Sequence, residues 1–277
     1  MKQCPEEGSI IGVVSEEIAQ MKIHPPWLLT CSIVSVLACG THGVFAQQGE
    51  YAGPPTRWLN ETPREVNRRP TIPEYLQEME WKELDQEVLL IAGSATAWRW
   101  NDQKWFSDFR TVNRGFGGSR LDDNAYYAEQ LLIPFNPSTI VLYAGDNDLW
   151  QGQSPSVTAD HFSDFVDVVH AVLPDTQIVF VSIRPSIARW NTWDAMQETN
   201  ALIRQQIDAN PNLYYADITG VTLDSDGRPR REFFIEDDLH LTELGYLAWS
   251  RVVKPVVRRA EGRYRQLKGC DLCGAQR

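Results

Sequence analysis

STIVLYAGDND (Ser138 to Asp148), DHFSDFVDVVHAVL (Asp160 to Leu173) and QIVFVSI (Gln177 to Ile183) follow one another in the chain and decide the fold class. The outer two are short apolar runs bounded by turn residues, which predicts strands at Ser138–Ala144 and Gln177–Ile183. Between them Phe162, Phe165, Val166 and Val169 recur at i, i+3, i+4 and i+7, the one-sided pattern of an amphipathic helix. Strand, helix, strand is the repeating unit of a parallel α/β sheet.

Reading outward, the same alternation predicts strands at Glu87–Ala92, Phe109–Asn113 and Leu213–Ile218, with helices at Asp194–Ala209 and Leu241–Arg259. Thr242 stands where the last helix needs an N-cap, and Pro255 is expected to kink or end it. No internal repeat or low-complexity tract interrupts the pattern, so residues 87–262 read as one domain. Residues 47–86 are polar and punctuated by Pro54, Pro55, Pro63, Pro70 and Pro73; they read as a lead-in with a helix around Glu74–Gln86. Residues 263–277 form a tail carrying Cys270 and Cys273.

The chain has 277 residues, enough to bury a sizeable core. Its formal charge of −11, from 26 Lys plus Arg against 37 Asp plus Glu, argues against nucleic acid or an anionic membrane surface as main partner. Ten Trp, nine Tyr and ten Phe exclude disorder of the whole chain.

The most apolar stretch is Trp27 to Gly40, after Met21-Lys22 and before Val44-Phe45-Ala46. A basic start, an apolar run too short to span a bilayer and a small residue before the cut read as a secretory signal cleaved after Ala46. Residues 1–46 are then an N-terminal extension and signal peptide, and no transmembrane span remains in the mature form. The product is exported, periplasmic or extracellular. Val36-Leu37-Ala38-Cys39 leaves a lipoprotein tether as the alternative. Cleavage removes Cys4, Cys31, Cys39, His24 and His42, so any histidine chemistry rests on His161, His170 or His240.

Ligands of open parallel sheets sit at the carboxyl ends of the strands. After the first strand comes Gly93-Ser94-Ala95-Thr96; after the second, Asn113-Arg114-Gly115-Phe116-Gly117-Gly118-Ser119, whose glycines permit close backbone approach and freely offered N–H groups. After the third comes Gly145-Asp146-Asn147-Asp148, where Asn147 either donates into a cleft or serves turn chemistry. Asp237 precedes His240 by three residues, so its carboxylate can hold one ring nitrogen and leave the other as a base. His161 and His170 lie in or beside the amphipathic helix and read as surface residues. No second His or Cys stands at ligand spacing from His240, which argues against a metal.

These blocks together resemble the SGNH hydrolases, the GDSL-type esterases and lipases, in the branch whose first block reads GSSS or GSST. The resemblance covers nearly the whole mature chain: Gly93-Ser94-Ala95, Asn113-x-Gly115-x-x-Gly118, Gly145-x-Asn147-Asp148 and Asp237-x-x-His240 occur in the family's order, and NRGFGGS, YAGDND and SIRPS are all present. It implies a three-layer α/β/α sandwich, flavodoxin-like, with about five parallel strands. It implies hydrolysis of acyl or acetyl esters on a small molecule or a glycan, with no cofactor. His240 is then the general base oriented by Asp237, while the Gly118 N–H, the Asn147 amide and the N–H of the nucleophile's own residue bind the oxyanion.

One position departs from the family. Where it places its nucleophilic Ser, this chain has Ala95, with Ser94 before it and Thr96 after. Neighbours leaving a strand point in different directions, so neither hydroxyl inherits the role without a rebuilt turn. Four readings stand: an active enzyme altered at this position, a silent member that binds acylated glycan or lipid, a shifted nucleophile at Ser94, or water activated directly by His240.

Trp98, Trp100, Trp105, Trp150, Trp190 and Trp193 fall near strand-end loops, either as a stacking surface for sugar rings or as ordinary packing. In an exported protein Cys270 and Cys273 read as a disulfide.

Overall fold

The computed structural model describes residues 72–80 and 88–269. The expected signal, most of the lead-in and the two tail cysteines lie outside them. Five parallel strands, β1 Leu89–Gly93, β2 Thr111–Asn113, β3 Thr139–Tyr143, β4 Gln177–Val181 and β5 Leu213–Ala216, form one sheet in the order β2-β1-β3-β4-β5. That is the flavodoxin-like order, and each strand starts within two residues of its predicted start. Leu89 stands opposite Thr111 on one side and Thr139 on the other, and Gly93 stands opposite Tyr143.

Every residue of β1, β3 and β4 is buried, as a sheet covered on both faces requires. Period-2 alternation divides their side chains between two cores. Leu90, Ala92, Ile140, Leu142, Ile178 and Phe180 join one core, and Leu89, Ile91, Val141, Tyr143, Val179 and Val181 join the other.

The helices in chain order are α1 Ile72–Glu80, α2 Ala95–Trp98, α3 Asp102–Trp105, α4 Leu121–Tyr126 and α5 Ala128–Leu131. There follow α6 Asp146–Trp150, α7 Pro155–Val172, α8 Trp193–Asp208, α9 Thr219–Thr222 and α10 Glu243–Leu267. Apolar residues of α4, α5, α7 and α8 close the first core. Those of α10, with Trp100 and Phe106, close the second, which completes the three layers.

Two helix bounds differ from the sequence reading. α7 starts five residues before Asp160, because Ser154 caps it by accepting from the Val157 N–H (3.3 Å) and Pro155 suits its first turn. α10 does not end at Pro255 but runs on to Leu267. An interior proline costs about 3 kcal/mol, and burial of Tyr246, Trp249, Val253, Val256, Val257 and Ala260 against the sheet outweighs it. Thr242 caps α10 as expected, accepting from the Gly245 N–H at 3.3 Å.

Candidate active site

The strand order reverses between β1 and β3, the place where an open sheet leaves a crevice. Each chain leaves that crevice through a glycine at positive φ, Gly93 at 125° and Gly145 at 110°. A Cβ would lie 1.9 Å from the Tyr143 carbonyl oxygen at Gly93, and 2.5 Å from Ile183 Cδ1 at Gly145. Only glycine permits these turns. They direct β1 into α2 and β3 into α6, so Ala95 and Asn147 sit in opening helical turns. Ser94, Ala95, Gly118, Asn147 and His240 line one cleft of about 690 Å³.

His240 Nδ1 is 2.5 Å from Asp237 Oδ2. Asp237 Oδ1 accepts from the backbone N–H of His240 (2.8 Å) and of Leu239 (3.0 Å). Partial burial alone would raise the Asp237 carboxyl, but these bonds and the imidazole pull it down to about 2. An ionised Asp237 keeps the proton on Nδ1, and Nε2 has no partner among the described residues. The turn carries strain, with Asp238 at φ 57°. Two groups from the loop after β4 hold it: Arg184 donates to the Leu239 carbonyl at 2.6 Å, and the Ala188 N–H donates to the Asp238 carbonyl at 3.0 Å. Arg184 is itself buried, with its guanidinium 5.2 to 6.0 Å from the ring centroids of Phe234, Trp249 and Tyr143.

The donor side is equally built. Asn147 is 7% exposed and spends one amide hydrogen on the Ser119 carbonyl (2.9 Å), which leaves the second for a ligand. The Gly118 N–H donates to no group among the described residues. The Ala95 N–H opens α2 and has no intrahelical acceptor. Asn113 ties the donor loop to α2: its amide donates to the Ala97 (2.9 Å) and Trp100 (3.1 Å) carbonyls, and its oxygen accepts from the Gly115 N–H (2.9 Å).

At the position where the family resemblance expects the nucleophile, Ala95 lines the cleft. Ser94 and Thr96, 2% and 3% exposed, flank it; the Ser94 N–H donates to the Tyr143 carbonyl (2.9 Å), and the Thr96 carbonyl accepts from Tyr246 (2.9 Å).

His161 is not the surface residue expected. Its side chain is 15% exposed, with Nδ1 3.7 Å from Oδ1 of the fully buried Asp148. Burial lifts the Asp148 carboxyl to about 6, against the pull of His161 and of the Leu121 N–H. With Asp122 these residues bring three potential ligand atoms within 4.8 Å, but Arg120 already supplies a cation by pairing with Asp122. His170 sits at the far end of α7, its Nε2 2.9 Å from the Thr176 carbonyl oxygen.

Of the six tryptophans, only Trp98 and Trp150 line the cleft. Trp100 is a core residue, stacked edge-on against Phe106 and Trp249 and donating to Ser250 Oγ at 3.0 Å. Trp105 packs on the second core, and Trp190 stacks on Trp193, which packs on the first. The cleft also holds Arg99, Gln151 and an Arg189–Asp146 pair at 3.0 Å. The sequence reading missed these residues, although Arg99 and Gln151 stand four positions after Ala95 and Asn147.

A doubly wound five-stranded sheet with its cleft at the reversal of strand order, and a histidine–carboxylate pair whose histidine lines that cleft, places the chain among the flavodoxin-like α/β/α proteins. The chain belongs to the GDSL-like lipase/acylhydrolase family, whose members cleave ester bonds; the family's model matches residues 92–248, a span that contains all four motif blocks. The fold is similar to that of a GDSL-like lipase from Bacteroides thetaiotaomicron (TM-score 0.58, 17% identity, covering 68% of this chain and 97% of that one). Two family 3 carbohydrate esterases are also similar in fold. The Clostridium thermocellum enzyme has a TM-score of 0.52 and 17% identity, covering 66% of this chain and 99% of that one. The Talaromyces cellulolyticus enzyme has a TM-score of 0.51 and 12% identity, covering 64% and 98%. No curated protein matches the sequence.

Proposed function

We propose that this protein is an exported hydrolase of acyl or acetyl esters, carried on a small molecule or a glycan, whose serine position is filled by Ala95. The observation that carries the reading is the His240–Asp237 pair, set beside the unspent donors of Gly118 and Asn147 in one cleft. A methyl cannot attack a carbonyl, so no acyl-enzyme forms at Ala95. His240 Nε2 takes a proton from water as the water oxygen bonds to the ester carbon. The Gly118 and Ala95 N–H groups and the second Asn147 hydrogen hold the resulting oxyanion. The C–O bond to the alcohol then breaks, and His240 returns the proton to the leaving oxygen. Export rests on the apolar Trp27–Gly40 stretch and the small residue at Ala46.

Ala95 itself favours a second reading, a silent member that binds an acylated glycan or lipid without turning it over. Turnover of p-nitrophenyl acetate before and after Ala95→Ser separates the two. Loss of the nucleophile in a hydrolase of unrelated fold costs on the order of 10⁶ and leaves about 10³–10⁴ over water. The hydrolase reading therefore expects a gain of about 10² or more. A folded Ala95→Ser protein with no gain rejects the machinery, and starting activity abolished by Ser94→Ala would move the nucleophile to Ser94.

A further inference from the structure

The two short helices that open at the cleft carry like residues at like spacing, through to their C-caps. Ala95, Trp98 and Arg99 follow from β1, and Asn147, Trp150 and Gln151 follow from β3, with the same spacing. The Arg99 N–H donates to the Ala95 carbonyl and the Gln151 N–H to the Asn147 carbonyl, both at 3.0 Å, so each pair lies one helical turn apart on one face. All six residues line the cleft. Trp98 and Trp150 stay 37% and 48% exposed, the only tryptophans among the described residues to do so. A guanidinium lies over each ring, Arg99 over Trp98 at 5.6 Å and Arg189 over Trp150 at 5.5 Å, and the indole surface that stays exposed suits the C–H faces of sugar rings. Apart from Ala95, Leu239 is the one aliphatic residue of the lining, so the apolar surface of the cleft is chiefly the two indoles.

Charge narrows the ligand further. Asp146 neutralises Arg189, and Asp237 holds His240. Arg99 lies over the Trp98 ring at 5.6 Å, and no carboxylate pairs with it among the described residues. A guanidinium with no carboxylate partner among the described residues thus stands a helical turn from Ala95 in a chain whose formal charge is −11. The acidic whole repels anions, and this one position attracts them. A guanidinium also matches carboxylate, sulfate or phosphate oxygens two at a time.

We propose that the cleft selects short acyl esters borne on an acidic sugar, with Trp98 and Trp150 against the ring and Arg99 on its anionic group. The inference rests on the ester-cleft reading and names its substrate class. The test is calorimetric titration of the protein as it stands, Ala95 included, with acetylated tri-galacturonic acid and with neutral acetylated xylotriose. The acidic ligand should bind more tightly at low ionic strength, by up to about 5-fold, the most an exposed ion pair typically supplies. Arg99→Gln, or about 0.5 M sodium chloride around the native protein, should bring that ratio to about one.

Equal affinity for the two ligands in the native protein overturns the proposal. So does a preference that survives Arg99→Gln, or binding confined to phosphocholine lipid micelles. Turnover of the uncharged p-nitrophenyl acetate by Ala95→Ser keeps the two levels apart. A gain there with a ratio near one removes the acidic-sugar inference alone. No gain there, with Arg99-dependent binding, removes the hydrolase reading and leaves an acidic-glycan binder.

Discussion

Under the proposed reading, one methyl group, that of Ala95, stands between this cleft and acyl-enzyme chemistry, and Asp237, His240, Gly118 and Asn147 line the same cleft or hold the groups that do. Asp237, drawn down to about 2, stays a carboxylate at any pH where an ester is assayed, so the His240 ring holds its orientation throughout. Asn147 is the donor whose contribution can be isolated, because its first amide hydrogen is committed to the Ser119 carbonyl and only its second can meet an oxyanion. In an Ala95→Ser background, Asn147→Ala should lower kcat by about 10²–10³ with little change in KM, as loss of one oxyanion donor does elsewhere. A fall below about 3-fold would remove Asn147 from the donor set. Much of this site was legible because its residues are local in sequence: Asp237 and His240 share one turn, and Gly145 to Asp148 are contiguous. His161 was misread because its partner, Asp148, lies thirteen positions upstream and meets it only when α6 folds back on α7. Arg99 escaped notice because its relation to Ala95 depends on α2 beginning at that residue.

The decisive elements are the segments that leave the strands, more than the strands themselves. Short apolar runs predicted all five strands, most directly β1, β3 and β4, whose burial on both faces is written into composition. Pro255 misled because local propensity was weighed without the apolar face of α10, which the sheet holds in place. The loop after β4 shows the converse: SIRPS gave a family resemblance but no role, and the fold gives it one. From that loop Arg184 and Ala188 reach back to the carbonyls of Leu239 and Asp238 and fix the turn that carries His240. Arg184→Leu takes the donor from Leu239 and the cation from three aromatic rings. Chemical denaturation should show a loss of about 2–3 kcal/mol. Arg184→Lys, which keeps the charge but not the planar fork, should recover part of the stability while turnover of the Ala95→Ser enzyme stays low. A loss under about 0.5 kcal/mol in Arg184→Leu would mean that the turn holds itself.

At the scale of the whole molecule, the fold places one buried carboxylate where its titration is felt in global stability. Asp148 anchors the start of α4 by accepting from the Leu121 N–H at 3.1 Å, fully buried from water. Its neighbours act in opposite senses: Asp122 raises its proton affinity, while His161 and the Leu121 N–H lower it, and burial prevails. In the folded chain it holds its proton to about pH 6, and in the unfolded chain to the ordinary 3.8. Between those values the folded state binds more protons, so stability falls as pH rises through the window and stays reduced above it. Asp237 works in the other sense: its bonds stabilise above pH 3.8 and are lost toward pH 2, below the Asp148 window. The excess of carboxylates over basic residues adds repulsion as pH climbs, in the same direction as Asp148. Asp148→Asn separates the local effect from the global one, because the amide oxygen still accepts from Leu121 but carries no titrating proton. The unfolding free energy from urea titrations should fall between pH 4.5 and pH 7.5 in the native chain, by up to about 2 kcal/mol from this residue. The variant should have a flatter slope and should match or exceed the native chain at pH 7.5. Parallel slopes in the two proteins would assign the pH dependence to the net charge, and Asp148 would then be a buried carboxylate whose surroundings balance its burial.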